Sequence, residues 1–425
     1  MTGNTQDTHH LRTDDMHVVC PRAAGVDVHK TRITAALRVC EAGGGPARVM
    51  TQEFSALPDG LQAMTDWLLD HSVTAAALES TGVYWKAPFE ALEDAGIRAD
   101  LHHAAHVRQI RGRKTDGSDS LWLARVCQFG LVAPSFVPPR RFRQMRQLTR
   151  YRRTLVAERS RARNRIHKIL DHDGLRLGGV LSDIFGMNGR RILDGLAAGR
   201  PARRILADVT GHIRGKLELL SRTLAATLDP LALVTLQMQL EAMDRTEAAL
   251  AALDRRIQAA LADYRRPLVL LQTIPGIDLR SAAAILVEIG PDVAAFRSAR
   301  HLAAWAGVAP GNHVSARKRR SGRVRPGNRM LRATLAECAH GAARSTSSQF
   351  HRYHQELAKR LGYKRAILAT AHKLLRVIHA VLSNDRPYSD PRIDYEGLVI
   401  ESGAPRWIRV LKQDDLIEEV RSMGT

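Results

Sequence analysis

The sequence predicts a mixed α/β domain at the N-terminus, a basic helical and coiled-coil middle, and a helical C-terminal domain. Three observations lead to this fold class. Short strand-like runs alternate with amphipathic segments up to about residue 129, an arginine-rich segment follows, and heptad-like apolar spacing begins near residue 231. With 425 residues, of which 44% are hydrophobic, the chain is expected to form two or three domains with buried cores.

The N-terminal segment reads as three strands followed by alternating helices and strands. The runs "AAGVDVHK", "RITAALRV" and "ARVMTQEFS" are of strand type and indicate an antiparallel meander. Next come a helix in "PDGLQAMTDWLLDHS", a buried strand in "TAAALES", a helix in "KAPFEALEDAG" that Gly96 ends, and a strand in "IRADLHHA". A last helix opens in "KTDGSDSLWLA", residues 114–124. This order of elements predicts a ribonuclease-H-like domain.

After the proline-containing linker "VAPSFVPPRR", residues 140–168 form a basic arm in which Glu158 is the single acid. A solvated helix face is the ordinary reading of such a run. Self-repulsion at this charge density favours a bound polyanion instead. The predicted nucleic-acid contacts on this arm are Arg146, Arg150, Arg153, Arg161 and Arg165.

The segment from about residue 231 to residue 264 carries apolar residues at heptad-like spacing. They are Leu236, Leu240, Met243, Leu250, Ile257 and Leu261. This spacing predicts either a long helical hairpin or a coiled-coil contact between subunits.

The charge balance restricts the partners of the chain. The sequence has 64 Lys and Arg against 43 Asp and Glu, a formal net charge of +21, which favours a polyanionic partner, with nucleic acid as the first candidate. We expect no apolar run to approach the roughly 20 residues that span a bilayer. The N-terminus "MTGNTQDTHHLRTDD" has no apolar core, so we expect a short disordered leader on a cytoplasmic, nucleoid-associated bacterial protein.

The four cysteines are widely spaced in the sequence and show no metal-ligand or disulfide pattern. They are Cys20, Cys40, Cys127 and Cys338. This usage fits a reducing compartment, and the expectation is that each cysteine is an ordinary small apolar residue.

Two aspartates, Asp116 and Asp119, lie three residues apart at the start of the last N-terminal helix. Helix capping and the helix dipole explain such a pair on their own. Asp27, however, lies within an apolar strand, where a charge is costly unless it is paired or metal-bound, and Glu79 ends another strand. In a ribonuclease-H topology the four carboxylates converge, and like charges so close require cations, for which Mg²⁺ is suited.

Two lysines flank these acids in the sequence. Lys30 and Lys114 are candidates for contacts with an incoming phosphate, and each is equally explained as a surface lysine.

Nearer the C-terminus, "TIPGIDLRSAAAIL" has the pattern of a helix-hairpin-helix motif. Its Gly276 and the backbone N–H groups that follow could hold a phosphate at a helix N-terminus. An ordinary Pro-Gly turn in a helical bundle is the alternative.

A basic segment follows this motif, and it contains two serines, Ser315 and Ser321. The residues of this segment predicted to contact nucleic acid are Arg317, Lys318, Arg319, Arg320, Arg323, Arg325 and Asn328. A serine here is by default a neutral donor to a phosphate. As a nucleophile it would have to lose its proton to a base, and the local sequence supplies none.

Two sets of motifs follow one another along the chain in a known order. The first set is "GVDVHK", "LESTGVYW" and "KTDGSDSLWLA". The second set is "LQTIPGIDLRSAAAILVEIG" and "FRSARHLAAWAGVAPGNHVSARKRRSGRVRPGNRMLR". They resemble the insertion-sequence transposases called bridge-RNA-guided recombinases, whose DEDD domain is similar to the Holliday-junction resolvase RuvC. The resemblance implies a RuvC-like domain in which Asp27, Glu79, Asp116 and Asp119 bind Mg²⁺. It also implies that a serine of the basic segment forms a covalent link to DNA. The matching position is Ser315, with Ser321 as the alternative.

The implied function is a transposase that cuts and rejoins DNA strands through a phosphoserine intermediate. The resemblance further implies a structured guide RNA on the basic arm and dimers that pair into a tetramer on DNA. A metal-dependent junction-resolving nuclease, in which water is the nucleophile, remains open. So does a non-catalytic nucleic-acid-binding protein whose acids cap helices.

The predicted organisation has five parts. Residues 1–20 are a leader, 21–135 the RuvC-like DEDD domain, 136–266 the basic helical and coiled-coil region, 267–384 the C-terminal serine transposase domain, and 385–425 a C-terminal extension.

Overall fold

The computed structural model describes residues 17–40, 47–80, 82–108, 119–311, 313–315, 318–321, 324, 326–395, 398, 400–401 and 403–423. The chain divides into two compact units, residues 1–140 and residues 141–425. We refer to them as the N-terminal and C-terminal units. The five predicted domain boundaries remain predictions.

The N-terminal unit contains five strands and four helices among its described residues. The strands are β1 (Arg22–Val28), β2 (Arg32–Val39), β3 (Arg48–Ser55), β4 (Ala75–Glu79) and β5 (Arg98–His102). The helices are α1 (Pro58–Asp70), α2 (Lys86–Asp94), α3 (Ala104–Arg108) and α4 (Asp119–Phe129).

The strands form one sheet in the order β3-β2-β1-β4-β5. β1 pairs antiparallel with β2 and β2 with β3, whereas β4 is parallel to both β1 and β5. The predicted antiparallel meander, followed by alternating helices and strands, is therefore confirmed. This mixed sheet is consistent with a ribonuclease-H-like domain.

Helices cover the two faces of this sheet. Alternate residues of the strands, such as Val26 and Leu78, pack with Met64 of α1 and Leu92 of α2 in one core. The intervening residues form a second core with α4, and they are small. They include Ala23, Ala75 and Ala77, which pack against Leu123, Val126 and Cys127.

Two of the cysteines, Cys20 and Cys127, lie against each other in this second core, although they are distant in sequence. Their exposed fractions are 5% and 4%. A hydrogen bond from Cys127 outweighs burial and lowers the pKa of Cys20 to about 6. Cys20 also donates its backbone N–H to the Gln128 carbonyl at 3.0 Å. The predicted leader is therefore fixed at this point, whereas residues 1–16 lie outside the described residues.

The C-terminal unit is mainly helical. Its first part contains α5 (Arg140–His172), α6 (Met187–Ala197), α7 (Ala202–Ala207), α8 (Leu217–Thr223) and α9 (Pro230–Ala260). Its second part contains α10 (Arg265–Gln272), α11 (Leu279–Ile289), α12 (Ala299–Ala306), β6 (His313–Ser315), β7 (Lys318–Ser321), α13 (Arg329–Arg344), α14 (Gln349–Leu361), α15 (Tyr363–Asn384), α16 (Arg406–Gln413) and α17 (Ile417–Arg421).

The two long helices α5 and α9 form an antiparallel hairpin. Arg152 of α5 pairs with Asp254 at 2.5 Å, and Arg163, further along α5, pairs with Glu247 at 3.4 Å. These ion pairs agree with the helical-hairpin alternative. All six heptad-like residues are buried within the chain, so they do not provide an exposed seam for a coiled-coil contact with a second subunit.

The described residues between 385 and 423, predicted as part of a C-terminal extension, pack within the C-terminal unit. Asp390 is fully buried and accepts hydrogen bonds from the Gln349 backbone N–H at 2.8 Å and the Tyr388 hydroxyl at 2.9 Å. Arg266 of α10 pairs with Glu419 of α17 at 2.7 Å. The C-terminal extension is therefore held by buried and paired polar groups.

One helix among the described residues, α15, is long and apolar enough to cross a membrane by length and composition alone. A buried core helix can have the same length and composition, so α15 does not overturn the expectation that no apolar run spans a bilayer. Eight of its residues are buried, and α15 packs against α12, α13 and α14. These contacts are those of a core helix.

Candidate active site

Two predicted carboxylates lie side by side at one edge of the sheet. In the parallel pairing of β1 with β4, Val26 is opposite Leu78. The next residues along these strands are Asp27 and Glu79, so the same register places them next to each other. Glu79 is the last residue of β4.

Both carboxylates face the side of the sheet that α4 covers. Val26 and Leu78 belong to the core on the opposite face, and side chains alternate along a strand. Ala77, two residues before Glu79, packs in the core beneath α4. Asp27 and Glu79 therefore project toward the side where α4 lies.

Gly25 brings the start of α4 close to this edge. A Cβ atom on Gly25 would lie 2.1 Å from the Ser120 carbonyl oxygen and 2.2 Å from the Ala124 nitrogen. Only a glycine permits this approach. Asp119, the first residue of α4, is thereby placed near the strand that carries Asp27.

Three of the four predicted carboxylates thus share one region of the N-terminal unit. The fourth, Asp116, lies outside the described residues, as does Lys114. Asp119 is also an acid in the first turn of a helix, where it complements the helix dipole. The capping explanation of Asp119 therefore remains open beside the metal-binding one.

The environment of Asp27 differs from the expectation of a buried strand residue. Its side chain is 29% exposed, because it lies at the penultimate position of β1. The Nε2 atom of His29 is 3.2 Å from its Oδ2 atom. His29 was not among the predicted site residues, although the same-face spacing of two residues in "DVH" could have indicated it.

The donor set fits a hard divalent cation, because carboxylate oxygens are the ligands that Mg²⁺ prefers. Among the residues that the structure describes, however, no group of three or more His, Cys, Asp or Glu side chains is assembled to hold a metal ion. The described residues therefore do not assemble the predicted set of four carboxylates, of which Asp116 lies outside them.

A second histidine that the sequence analysis missed, His102, is adjacent to Glu79. The two residues are partners in the pairing of β4 with β5. His102 is 2% exposed, and neither of its ring nitrogens has a hydrogen-bond partner among the described residues. Burial lowers its pKa. A buried imidazole without partners is unfavourable for stability, and no sequence periodicity would have revealed its location.

Lys30, one of the predicted phosphate contacts, is exposed and lines an open cavity of about 250 Å³. The cavity lies between the segments that follow β1 and β4, and its lining also includes His29, Tyr84 and Lys86. No acid lines it. The cavity is therefore suited to an anionic ligand next to the carboxylates.

In the C-terminal unit, the predicted contacts of the basic arm separate into two groups. Arg146 and Arg150 are ion-paired with the buried Glu288, with shortest distances of 3.1 and 2.9 Å. Their guanidinium groups are thus occupied inside the unit, in contrast to the solvent-facing phosphate contacts that the sequence predicts. Arg161 and Arg165 are exposed.

Arg153 is intermediate between these groups. It pairs with Glu337 of α13 at 3.1 Å, and both side chains are substantially exposed. Such exposed pairs contribute little to stability, so this arginine can exchange partners at low cost.

Packing accounts for Gly276 of the predicted helix-hairpin-helix motif. Its φ of 84° requires glycine, and an added Cβ would lie 2.3 Å from the Cys338 carbonyl oxygen in α13. The Asp278 carboxylate caps α11 by accepting from the Ser281 N–H at 2.8 Å. Because an acid already occupies this helix N-terminus, the ordinary-turn alternative explains the described structure without a phosphate.

The two candidate serines lie on opposite strands of a short hairpin. Ser315 ends β6 and pairs with Lys318, whereas Ser321 ends β7 and pairs with His313. The structure describes only the backbone here, including that of Arg319 and Arg320, and the predicted contacts Arg317, Arg323 and Arg325 lie outside the described residues.

The mixed sheet of the N-terminal unit, with Asp27 and Glu79 adjacent at one edge, is consistent with a ribonuclease-H-like DEDD transposase domain. A sequence profile of such transposases matches residues 24–172. A second profile, described as "Transposase IS116/IS110/IS902 family", matches residues 268–355. Together the two profiles cover more than half of the chain. The chain belongs to the IS110 family of transposases, whose DEDD domain suggests dependence on a divalent metal.

Individual relatives support this assignment. The chain is 37% identical over 133 residues to the pilin gene-inverting protein of Moraxella bovis, covering 29% of this chain and 39% of the relative. It is 30% identical over 122 residues to the transposase for insertion sequence element IS1111A of Coxiella burnetii, covering 28% and 33%. A 43.6 kDa protein of insertion element IS110 in Streptomyces coelicolor is 28% identical over 192 residues, covering 45% of each chain. Each match thus spans less than half of the relative.

Proposed function

We propose that this protein is a DNA transposase that cuts and rejoins DNA strands to move an insertion sequence. The observation that carries the proposal is the placement of Asp27 and Glu79 side by side, with Asp119 near them, in a chain that matches two transposase profiles in order. Relatives named as a transposase and as a gene-inverting protein support strand rejoining rather than cleavage alone.

The proposed covalent step uses Ser315, with Ser321 as the alternative. The serine Oγ atom forms a bond to the phosphorus while the bond from phosphorus to one sugar oxygen breaks. The serine proton passes to a base, and the departing sugar oxygen takes up a proton. Attack by another sugar hydroxyl on the phosphoserine reverses these events and rejoins the strand without an external energy source.

Asp27, Glu79, Asp116 and Asp119 would hold Mg²⁺ in this proposal. The bound ion would supply charge stabilisation for the phosphate and lower the barrier to deprotonation of the nucleophile. The protein residues themselves orient the phosphate, and Lys30 would bind the adjacent strand through the cavity that also contains Tyr84 and Lys86.

The proposed partners are DNA, a structured guide RNA and further copies of the chain. The exposed Arg161 and Arg165 of α5 are the part of the basic arm available to RNA. Dimers that pair into a tetramer on DNA follow from the proposal that each site combines a DEDD domain and a serine from different subunits.

The serine mechanism is tested with a matched pair of variants, Ser315→Ala and Ser321→Ala, in the full chain. Element-junction DNA carrying a label is incubated with each protein and Mg²⁺, and the covalent protein–DNA adduct is measured on a denaturing gel. We expect Ser315→Ala to abolish both the adduct and strand exchange, while Ser321→Ala retains them. Intact cleavage by both variants would instead support a nuclease that uses water.

The metal site is tested separately from DNA chemistry. Mg²⁺ should raise the melting temperature of the wild type, because a ligand that binds only the folded state stabilises it. Glu79→Gln should remove most of this increase, and Asp59→Asn, a change of an exposed acid in α1, should not. An equal increase in all three proteins would show that these acids do not bind Mg²⁺ and only cap helices or face solvent.

Sequencing the RNA that co-purifies with the protein tests whether it binds a structured guide RNA.

A further inference from the structure

Glu288 is a buried acid that the proposed chemistry does not use. It lies in the last turn of α11, between the buried Val287 and Ile289, and is only 3% exposed. A carboxylate at such a site is strongly unfavourable unless it is paired and hydrogen-bonded. Glu288 therefore needs polar partners, whereas an apolar side chain at this position would need only packing contacts.

Two arginines of α5 provide the countercharge. Arg150 donates from Nε and Nη2 to the two oxygens of Glu288 at 2.9 and 3.0 Å, which is a bidentate pair. Arg146 Nε is 3.1 Å from Oε2, and its Nη2 donates to the Glu288 carbonyl oxygen at 2.5 Å. That carbonyl is near the C-terminus of α11, where a cation is favourable. Glu288 thus fixes α5 to the end of α11.

The third partner is Asn328, which begins α13. Its Nδ2 donates to Glu288 Oε2 at 2.7 Å. Its Oδ1 accepts from the N–H groups of Met330 and Leu331, both at 3.1 Å, and so caps α13. Its backbone N–H donates to the Trp305 carbonyl at 3.0 Å. Asn328 therefore connects three helices.

The contacts close into a ring. The Arg146 guanidinium carbon lies 5.9 Å from the centre of the Trp305 ring, and Trp305 in turn accepts from Asn328. Gly327, beside Asn328, lies against the end of α12, since an added Cβ would be 2.4 Å from the Gly307 nitrogen. The fit leaves little freedom for the position of residue 327.

This ring lies where the serine-bearing segment joins the helices. The segment leaves α12 after Gly307 and returns at Gly327 and Asn328, and Ser315 lies between these points. Both ends of the segment are therefore attached to the ring around Glu288. A misplacement of about 1 Å in a reacting group can reduce a rate about a hundredfold.

We propose that Glu288 is a positioning residue for the serine-bearing segment, because it holds Asn328 and the end of α12 in a fixed place relative to the arginines of α5. This inference rests on the proposed serine mechanism. It assigns Asn328, Arg146 and Arg150 to the positioning of the nucleophile rather than to direct contact with nucleic acid.

The test exchanges the two polar partners. Asn328→Asp retains the helix cap, since aspartate is also a good N-cap, but it removes the donor to Glu288 and places two acids together. Glu288→Gln removes the countercharge of the arginines. In the double variant Glu288→Gln/Asn328→Asp, the glutamine amide can donate to the aspartate, and one negative charge remains beside the arginines.

Adduct formation is measured under single-turnover conditions with saturating junction DNA, together with DNA affinity and melting temperature. We expect each single variant to slow adduct formation about tenfold to a hundredfold, with DNA affinity unchanged, and the double variant to recover most of the rate. Glu337→Gln breaks the exposed pair with Arg153 and serves as a control with wild-type rate.

Two results would overturn the proposal. One is a wild-type rate in both single variants. The other is a double variant that recovers its melting temperature but not its rate of adduct formation. This second comparison still decides the question if a single variant fails to fold. Failure of the serine mechanism is distinguishable, because the wild type would then form no adduct or Ser315→Ala would still form one.

Discussion

Replacing Gly25 with alanine tests whether the close packing of α4 on β1 positions the carboxylates. The new methyl group would meet the backbone of α4 at 2.1 Å from the Ser120 carbonyl oxygen and 2.2 Å from the Ala124 nitrogen. These are backbone atoms, so no rotamer change relieves the overlap. Interiors are close-packed, and α4 must therefore move away from the sheet by about 1 Å.

The movement has two expected consequences. Overpacking of this kind costs about 1–3 kcal/mol of folding stability. Because α4 begins at Asp119, the same shift separates Asp119 from Asp27 and should lower a metal-dependent rate up to about a hundredfold. The loss of activity should therefore exceed what partial unfolding alone produces.

The assay compares urea unfolding, the increase in melting temperature caused by Mg²⁺, and the rate of DNA cleavage for the wild type and Gly25→Ala. Gly179→Ala is the matched control, since an added Cβ there meets nothing within 4 Å. Gly25→Ala should be less stable, gain less from Mg²⁺ and cleave more slowly. A variant that is destabilised but retains the full Mg²⁺ effect and rate would refute the positioning role of this contact.

Three further predictions concern single residues. Gly276→Ala should lower stability by about 2 kcal/mol or more, because it combines a positive φ with an overlap at 2.3 Å. A loss of DNA affinity at unchanged stability would instead support the prediction that Gly276 binds a phosphate. Burial raises the pKa of Asp254, but its pair with Arg152, together with the contact from Arg280, outweighs burial and lowers the pKa overall. The stabilisation from this pair is thus present at neutral pH and lost as the pH falls below about 4. Asp254→Asn should therefore be less stable than the wild type in urea at neutral pH, and this difference should vanish in acid. A difference that stays constant with pH would contradict this prediction. His102→Leu should raise stability by about 1–3 kcal/mol, since it removes two buried nitrogens without described partners; an unchanged melting curve would indicate that they are satisfied.

The N-terminal sheet was predictable because its information is local. Short, mainly apolar runs define β1, β2 and β4, and Gly96, with a φ of 72°, ends the turn after α2 as expected. The chain order then restricts the topology to few choices. The adjacency of Asp27 and Glu79 follows from that topology, whereas Asp119 also needs Gly25, whose role depends on a contact with a helix about 100 residues away.

The partners of charged residues were not predictable in the same way. A lone acid in an apolar run is expected to be buried and paired, but Asp27 in "GVDVHK" is 29% exposed. This expectation applies more strongly to Glu288 in "AAAILVEIG", which is 3% exposed. Periodicity shows that such an acid is buried but not what it contacts, because Arg150 lies 138 positions away.

The pairing within α5 changes the residues assigned to nucleic acid but not the case for a polyanionic partner. Each internal pair, such as Arg152 with Asp254, neutralises one positive and one negative charge, so the formal net charge of +21 is the same with or without it. The uncompensated charge must then reside on other residues, such as the exposed Arg165. Arginines directed toward α9 and α11 stabilise the unit, and those on its outer side remain available to phosphates. A charge run in a sequence therefore gives the class of partner more securely than it gives the contacting residues.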